Sequence, residues 1–103
     1  MNDLPKVALV GCGYWGKNLC RNFSAIGALA RVVDSTELGQ GNAASIAPGV
    51  IVSPSLEDAL QDSEVEAIAL ATPAETHAEL AIRSMEAGKD VFVEKPMALS
   101  LKD

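Results

Sequence analysis

The sequence predicts an α/β fold, a doubly wound parallel sheet of about five strands with helices on both faces. Three observations carry this. Short apolar runs alternate along the chain with stretches of helical periodicity, the pattern of strands joined by helical crossovers. The runs are almost continuously apolar, as strands buried on both faces are. Glycines at 11, 27 and 88 stand where one element ends and the chain must turn.

Residues 6–10 (KVALV) read as a buried strand that ends at Gly11. Residues 14–26 read as a helix, with Leu19, Phe23 and Ile26 at i, i+4 and i+7 on one face. Gly27 then takes the place of a left-handed C-terminal cap. Residues 29–33 are β-rich and apolar apart from Arg31, and Asp34 closes them. Residues 36–47 are Ala-rich, but Gly39 and Gly41 each cost about 1 kcal/mol against Ala inside a helix. A short or late-starting helix is expected there. Residues 50–53 (VIVS) form a short strand. Ser55 caps a brief helix over 56–61, with Asp58 in an incomplete capping box. Residues 65–71 (VEAIALA) are the next strand. Residues 75–87 form a helix with Ala78, Ala81, Ile82 and Met85 on its apolar face, stopped by Gly88. Residues 90–93 (DVFV) are the fifth strand.

Composition narrows the function. The 103 residues suit one domain, and no internal repeat or linker divides them. Apolar residues make up 49% and charged residues 21%, which excludes a disordered or low-complexity chain. No apolar run approaches the ~18 residues of a membrane span. The N-terminus carries Asp3 and makes a poor signal peptide. A net charge of −6 repels phosphate backbones, so neither nucleic acid nor an anionic membrane is an expected partner. Cys12 and Cys20 do not form C-x-x-C, and no His/Cys cluster surrounds them. No disulfide framework or metal site is expected, and a reducing cytoplasm fits best.

Gly11-Cys12-Gly13-Tyr14-Trp15-Gly16 fits G-x-G-x-x-G. It follows a predicted strand and opens a predicted helix, and Asp34 ends the second strand 18 residues after Gly16. In that context the motif is a dinucleotide-binding fingerprint. Gly11 allows the tight turn, Gly13 lets the backbone approach a pyrophosphate, and Gly16 lets helix and sheet pack closely. The helix N-terminus offers free N–H groups and partial positive charge to phosphate. Asp34 can accept two hydrogen bonds from the adenosine ribose, and its charge repels a 2′-phosphate. Ser35, Thr36 and Glu37 bring no Arg or Lys to offset that repulsion. NAD is therefore expected over NADP. A ligand-free glycine turn and a methyltransferase loop are the competing readings.

Other residues have two readings each. Thr72-Pro73 ends the fourth strand, either lining the crevice outside the strand carboxyl ends or simply capping the strand. His77, the only histidine, stands near a helix start, which lowers its affinity for protons. It either reaches the crevice or packs at the surface. Glu94-Lys95-Pro96 follows the fifth strand as a site for chemistry or as a solvated turn. In the former, Lys95 can stabilise a developing alkoxide. Tyr14 and Trp15 lie inside the glycine loop, where cofactor contact and packing compete. Phe23 reads as core. Cys12 lacks an adjacent base and reads as a small loop residue.

Taken together, VALVGCGYWGKN, VVDST and ALATPAETHAELAIRSMEAGKDVFVEKPMALS resemble the N-terminal domain of the Gfo/Idh/MocA family. That family includes glucose–fructose oxidoreductase and inositol dehydrogenases. GYWGKNLCRNF most resembles members acting on nucleotide-linked amino sugars. The resemblance covers nearly the whole chain. It implies a Rossmann fold, NAD as cofactor, and hydride transfer with a sugar or cyclitol secondary alcohol. It implies that Gly11, Gly13 and Gly16 hold the pyrophosphate and Asp34 the ribose. It further implies that Thr72, Pro73 and His77 line the nicotinamide side, and that Glu94 lies near the nicotinamide ribose. Lys95 matches the lysine beside the reacting carbon. Family members are roughly three times as long and have a second domain that supplies the substrate pocket and the homo-oligomer interface. Here Ser100 resembles an N-cap with no helix behind it, so residues 1–103 are expected to be the dinucleotide-binding domain alone, its substrate domain absent. A non-catalytic NAD-binding module or truncated paralogue is the alternative.

Overall fold

The computed structural model describes residues 6–13, 16–72 and 77–93. Among the described residues nine elements follow one another: β1 (Val7–Val10), α1 (Gly16–Ala25), β2 (Leu29–Val33), α2 (Glu37–Ile46), β3 (Ile51–Ser53), α3 (Leu56–Leu60), β4 (Ala67–Leu70), α4 (His77–Glu86) and β5 (Asp90–Val93). The strands form one sheet in the order β3-β2-β1-β4-β5, and every neighbouring pair is parallel. The expected doubly wound sheet is present. The chain runs outward from β1 through β2 to β3, then returns to the other side of β1 for β4 and β5. That reversal places a crevice at the carboxyl ends of β1 and β4.

Both faces are apolar, which explains the unbroken strand runs. Val7 and Leu9 point to one side with Val32 and Ala69, under Cys20 of α1 and Ala43 of α2. Ala8 and Val10 point to the other with Val33, Ile68 and Leu70, under Leu56 and Ala59 of α3 and Ala81 of α4. Arg31, the one charge in β2, lies half-buried. Its guanidinium pairs with Asp62 at 3.2 Å and donates to the Ser53 hydroxyl on β3. Gly27 has a φ of 77°, the left-handed cap expected of it. The Ala28 N–H closes the turn on the Phe23 carbonyl at 2.9 Å. Among the described residues, no helix is long and apolar enough to cross a membrane.

Three local readings need correction. Helix α2 runs ten full residues despite its two glycines. Thr36 caps it, its hydroxyl accepting from the Gly39 N–H at 3.0 Å. Ile26 falls just past the end of α1 and is 55% exposed, whereas Cys20 is fully buried. On α4, Ile82 and Met85 face solvent, and Ala81 and Ser84 face the sheet. Ser84 tolerates full burial because its hydroxyl donates to the Leu80 carbonyl at 2.8 Å.

Candidate functional site

The glycine turn is built at the carboxyl end of the central strand. Gly11 has a φ of 96°, a conformation costly for a residue with a Cβ. Its N–H donates to the Val33 carbonyl at 2.7 Å, tying the turn to β2. A Cβ on Gly11 would also lie 3.0 Å from Thr72 Cγ2 and 3.1 Å from the Ala71 backbone. Thr72 thus closes on the turn from the end of β4. Gly16, the first residue of α1, is buried against the Gly11 carbonyl, and a Cβ there would overlap that oxygen. Gly16→Ala is therefore expected to destabilise the fold by about 1–3 kcal/mol through overpacking, read as a lower midpoint in denaturant melts.

Gly13 differs from both. Its φ is not among the positive ones, and beyond its chain neighbours none of the described residues lies within 4 Å of a Cβ built on it. Neither the backbone nor packing among the described residues asks for glycine there. The turn opens on the start of α1, where the Lys17 N–H donates to the Gly13 carbonyl at 3.1 Å. The first turn of α1 carries no acidic side chain. The other three helices each have one or two: Glu37, Glu57 with Asp58, and Glu79. In an acidic chain, α1 alone among them keeps its N-terminal partial charge uncompensated, which suits an anion.

Asp34 follows β2, its N–H donating to the Ser53 carbonyl at 2.9 Å. Its carboxylate is held from both sides. Oδ2 accepts from the Cys12 N–H in the glycine turn at 2.8 Å. Oδ1 accepts from the Thr36 N–H at 2.8 Å and the Thr36 hydroxyl at 2.6 Å. Burial alone would raise the Asp34 carboxyl, but these hydrogen bonds outweigh it and hold the group below its ordinary value. They fill three of the roughly four acceptor positions of a carboxylate. One position, on Oδ2, remains for a further donor. Ser35 is exposed beside it. Burial pushes the Cys12 thiol up to about 12 and raises that of Cys20, so neither is a thiolate at neutral pH.

A cleft of about 810 Å³ runs along this end of the sheet, bounded by Gly11, Gly13, Asp34, Ser35, Thr36 and Thr72. Its far wall is Pro54, Ser55 and Leu56 from the start of α3, with Glu79, Leu80 and Arg83 from α4. Arg83 forms an ion pair with Glu57. A smaller hollow at the amino ends of β2 and β3 has no charged lining residue among the described residues.

The structure brings together Gly11, Gly13, Gly16, Asp34, Ser35 and Thr72. His77 is the first residue of α4, but its side chain lies outside the description. Tyr14, Trp15, Pro73, Glu94 and Lys95 also lie outside the described residues. Several contributors were not found from the sequence. Asn42 donates to the Cys12 carbonyl at 2.8 Å, and Gln40 to the Asp34 carbonyl at 2.8 Å. Gly39 lies directly against the Asp34 carboxylate. A glycine inside an otherwise good helix sequence was the one signal available for it.

Residues 5–103 match the oxidoreductase family with an NAD-binding Rossmann fold. The chain is similar to inositol 2-dehydrogenase 3 of Saccharopolyspora erythraea, at 34% identity over 95% of this chain and 30% of that protein. It is similar to the structure of GenD2 from gentamicin A biosynthesis in complex with NAD, with a TM-score of 0.82 and 35% identity. That match covers 93% of this chain and 28% of GenD2. The WlbA dehydrogenase from Bordetella pertussis, in complex with NADH and UDP-GlcNAcA, matches with a TM-score of 0.80 and 32% identity. It covers 91% of this chain and 29% of WlbA. The chain thus spans under a third of the length of these relatives.

Proposed function

The chain belongs to the oxidoreductase family with an NAD-binding Rossmann fold, and from that premise we propose that residues 1–103 are the dinucleotide-binding domain of an NAD-dependent oxidoreductase acting on a sugar or cyclitol secondary alcohol. A nucleotide-linked sugar is the finer form of this reading, supported by the likeness to WlbA. The observation that carries the reading is the cleft that Gly13 and Asp34 line together, with nothing among the described residues within 4 Å of a Cβ built on Gly13.

NAD held in this cleft would supply hydride-transfer chemistry at its nicotinamide ring. Gly11, Gly13 and Gly16, with the first N–H groups of α1, hold the pyrophosphate. The open position on Asp34 Oδ2 accepts from a ribose hydroxyl. The same charge repels a 2′-phosphate, and no cation at Ser35, Thr36 or Glu37 relieves it. Tyr14, Trp15, Thr72, Pro73, His77 and Glu94 line the remaining cofactor surface. Lys95 polarises the substrate hydroxyl and stabilises the alkoxide as its proton leaves to a base. Enclosing a sugar takes a substrate domain beyond residues 1–103. The free, buried thiols of Cys12 and Cys20 fit a reducing compartment, the cytoplasm.

The test is a titration with NAD and then NADP, followed by fluorescence of Trp15, the only tryptophan, with calorimetry in parallel. The expected result is saturable binding, tighter for NAD. Calorimetric silence with both cofactors would overturn the reading.

A further inference from the structure

We infer that Gly39 is a positioning residue for cofactor recognition: its missing side chain leaves the space in which the Asp34 carboxylate lies, turned toward the glycine turn. This rests on the reading of Asp34 as the ribose ligand.

Gly39 is buried in the first turn of α2. A Cβ built on it would overlap both carboxylate oxygens of Asp34 and the carbon between them. The overlapped atoms are the far end of a side chain, so the carboxylate yields before the backbone does. Once displaced, it can no longer accept from the Cys12 N–H, 22 residues earlier in the chain. The opening at Gly39 therefore sets both the direction of the carboxylate and its tie to the turn. Helix α2 also grips the turn from its next residues, since Asn42 donates to the carbonyl of the same Cys12. One short helix face thus fixes the ribose ligand and the phosphate turn relative to each other.

Glycine is a poor residue inside a helix, so its presence at 39 asks for a reason that Gly41 does not share. Outside its own helix backbone and chain neighbours, a Cβ on Gly41 meets nothing within 4 Å among the described residues, which makes Gly41→Ala a control in the same helix. Without the carboxylate, Gly39→Ala should behave like that control and gain helix stability.

The test is a double-mutant cycle of Gly39→Ala and Asp34→Ala, reading Tm and NAD affinity for each variant. Gly39→Ala is expected to lower Tm in the parent and raise it in the Asp34→Ala background. Gly41→Ala is expected to raise it in both. Gly39→Ala is expected to weaken NAD about tenfold, the scale of one lost charged hydrogen bond, and to add nothing to Asp34→Ala. If Gly39→Ala does not fold, recovery of folded protein in the double variant supports the same conclusion. Equal Tm shifts in both backgrounds, or a double variant that also fails to fold, would overturn the inference. A sign reversal in Tm, with Asp34→Ala binding NAD like the parent, overturns the role in recognition through the ribose reading alone. The packing of Asp34 over Gly39 would then stand.

Discussion

Gly13→Val is expected to weaken NAD binding by more than about 100-fold and leave the fold intact. The two halves of this expectation rest on separate observations. Gly13 does not have a positive φ, so a branched residue meets no backbone penalty of the kind Gly11 would impose. Beyond its chain neighbours, none of the described residues lies within 4 Å of its Cβ position, so the isopropyl group displaces nothing among them. Stability should change little. For a pyrophosphate approaching the turn, however, the same group fills the approach. Overpacking of that kind costs about 1–3 kcal/mol. Loss of a hydrogen bond to a charged group adds about 1.5–3 kcal/mol. Together they come to about 2.5–6 kcal/mol, and the lower end of that range already lies near the 2.7 kcal/mol or so that corresponds to a factor of 100. Calorimetric titration with NAD, alongside a thermal melt, separates the halves. Affinity near that of the parent would remove the turn from the site. A collapse in Tm would mean that Gly13 is structural, as Gly16 is.

Much of this was legible in the sequence because it is local. The strand over Leu29–Val33 is found to the residue, since a β-rich run, apolar apart from Arg31, and a closing acid need no knowledge of partners. The glycine turn and Asp34 were found because their spacing encodes a recurring geometry. What failed depended on side-chain contacts that no pattern in the sequence encodes. Periodicity alone placed Met85 on the inner face of α4, and Ser84 took that place because its hydroxyl is satisfied within the helix. Helix propensity counted Gly39 against α2, whereas Asp34 needs the space it leaves. Asn42 lies 30 residues from the carbonyl it holds, and no spacing rule links the two. The strand order, with its return across β1, is likewise a property of the assembled sheet.

Asp34→Ala is expected to weaken NAD by about 10- to 100-fold and to bring NADP to comparable affinity. The first effect is the loss of a charged acceptor, about 1.5–3 kcal/mol. The second is the removal of the carboxylate that a 2′-phosphate must approach, near a helix N-terminus already favourable to anions. Unchanged preference for NAD would assign discrimination to another residue. The substitution also has a consequence without cofactor. The folded-state carboxyl of Asp34 is held below its ordinary value because the Cys12 and Thr36 donors outweigh its burial. A group lowered in this way contributes stability that is in place above its unfolded value, about 3.9. That contribution is lost as pH falls through the lower folded value. The parent should therefore melt above Asp34→Ala at pH 6, with the gap narrowing steadily below about pH 4. A gap that stayed constant to pH 2.5 would mean that the Cys12 and Thr36 donors do not favour the ionised carboxylate over the acid. Asp34 would then stabilise the turn by packing alone, and its charge would carry no structural duty.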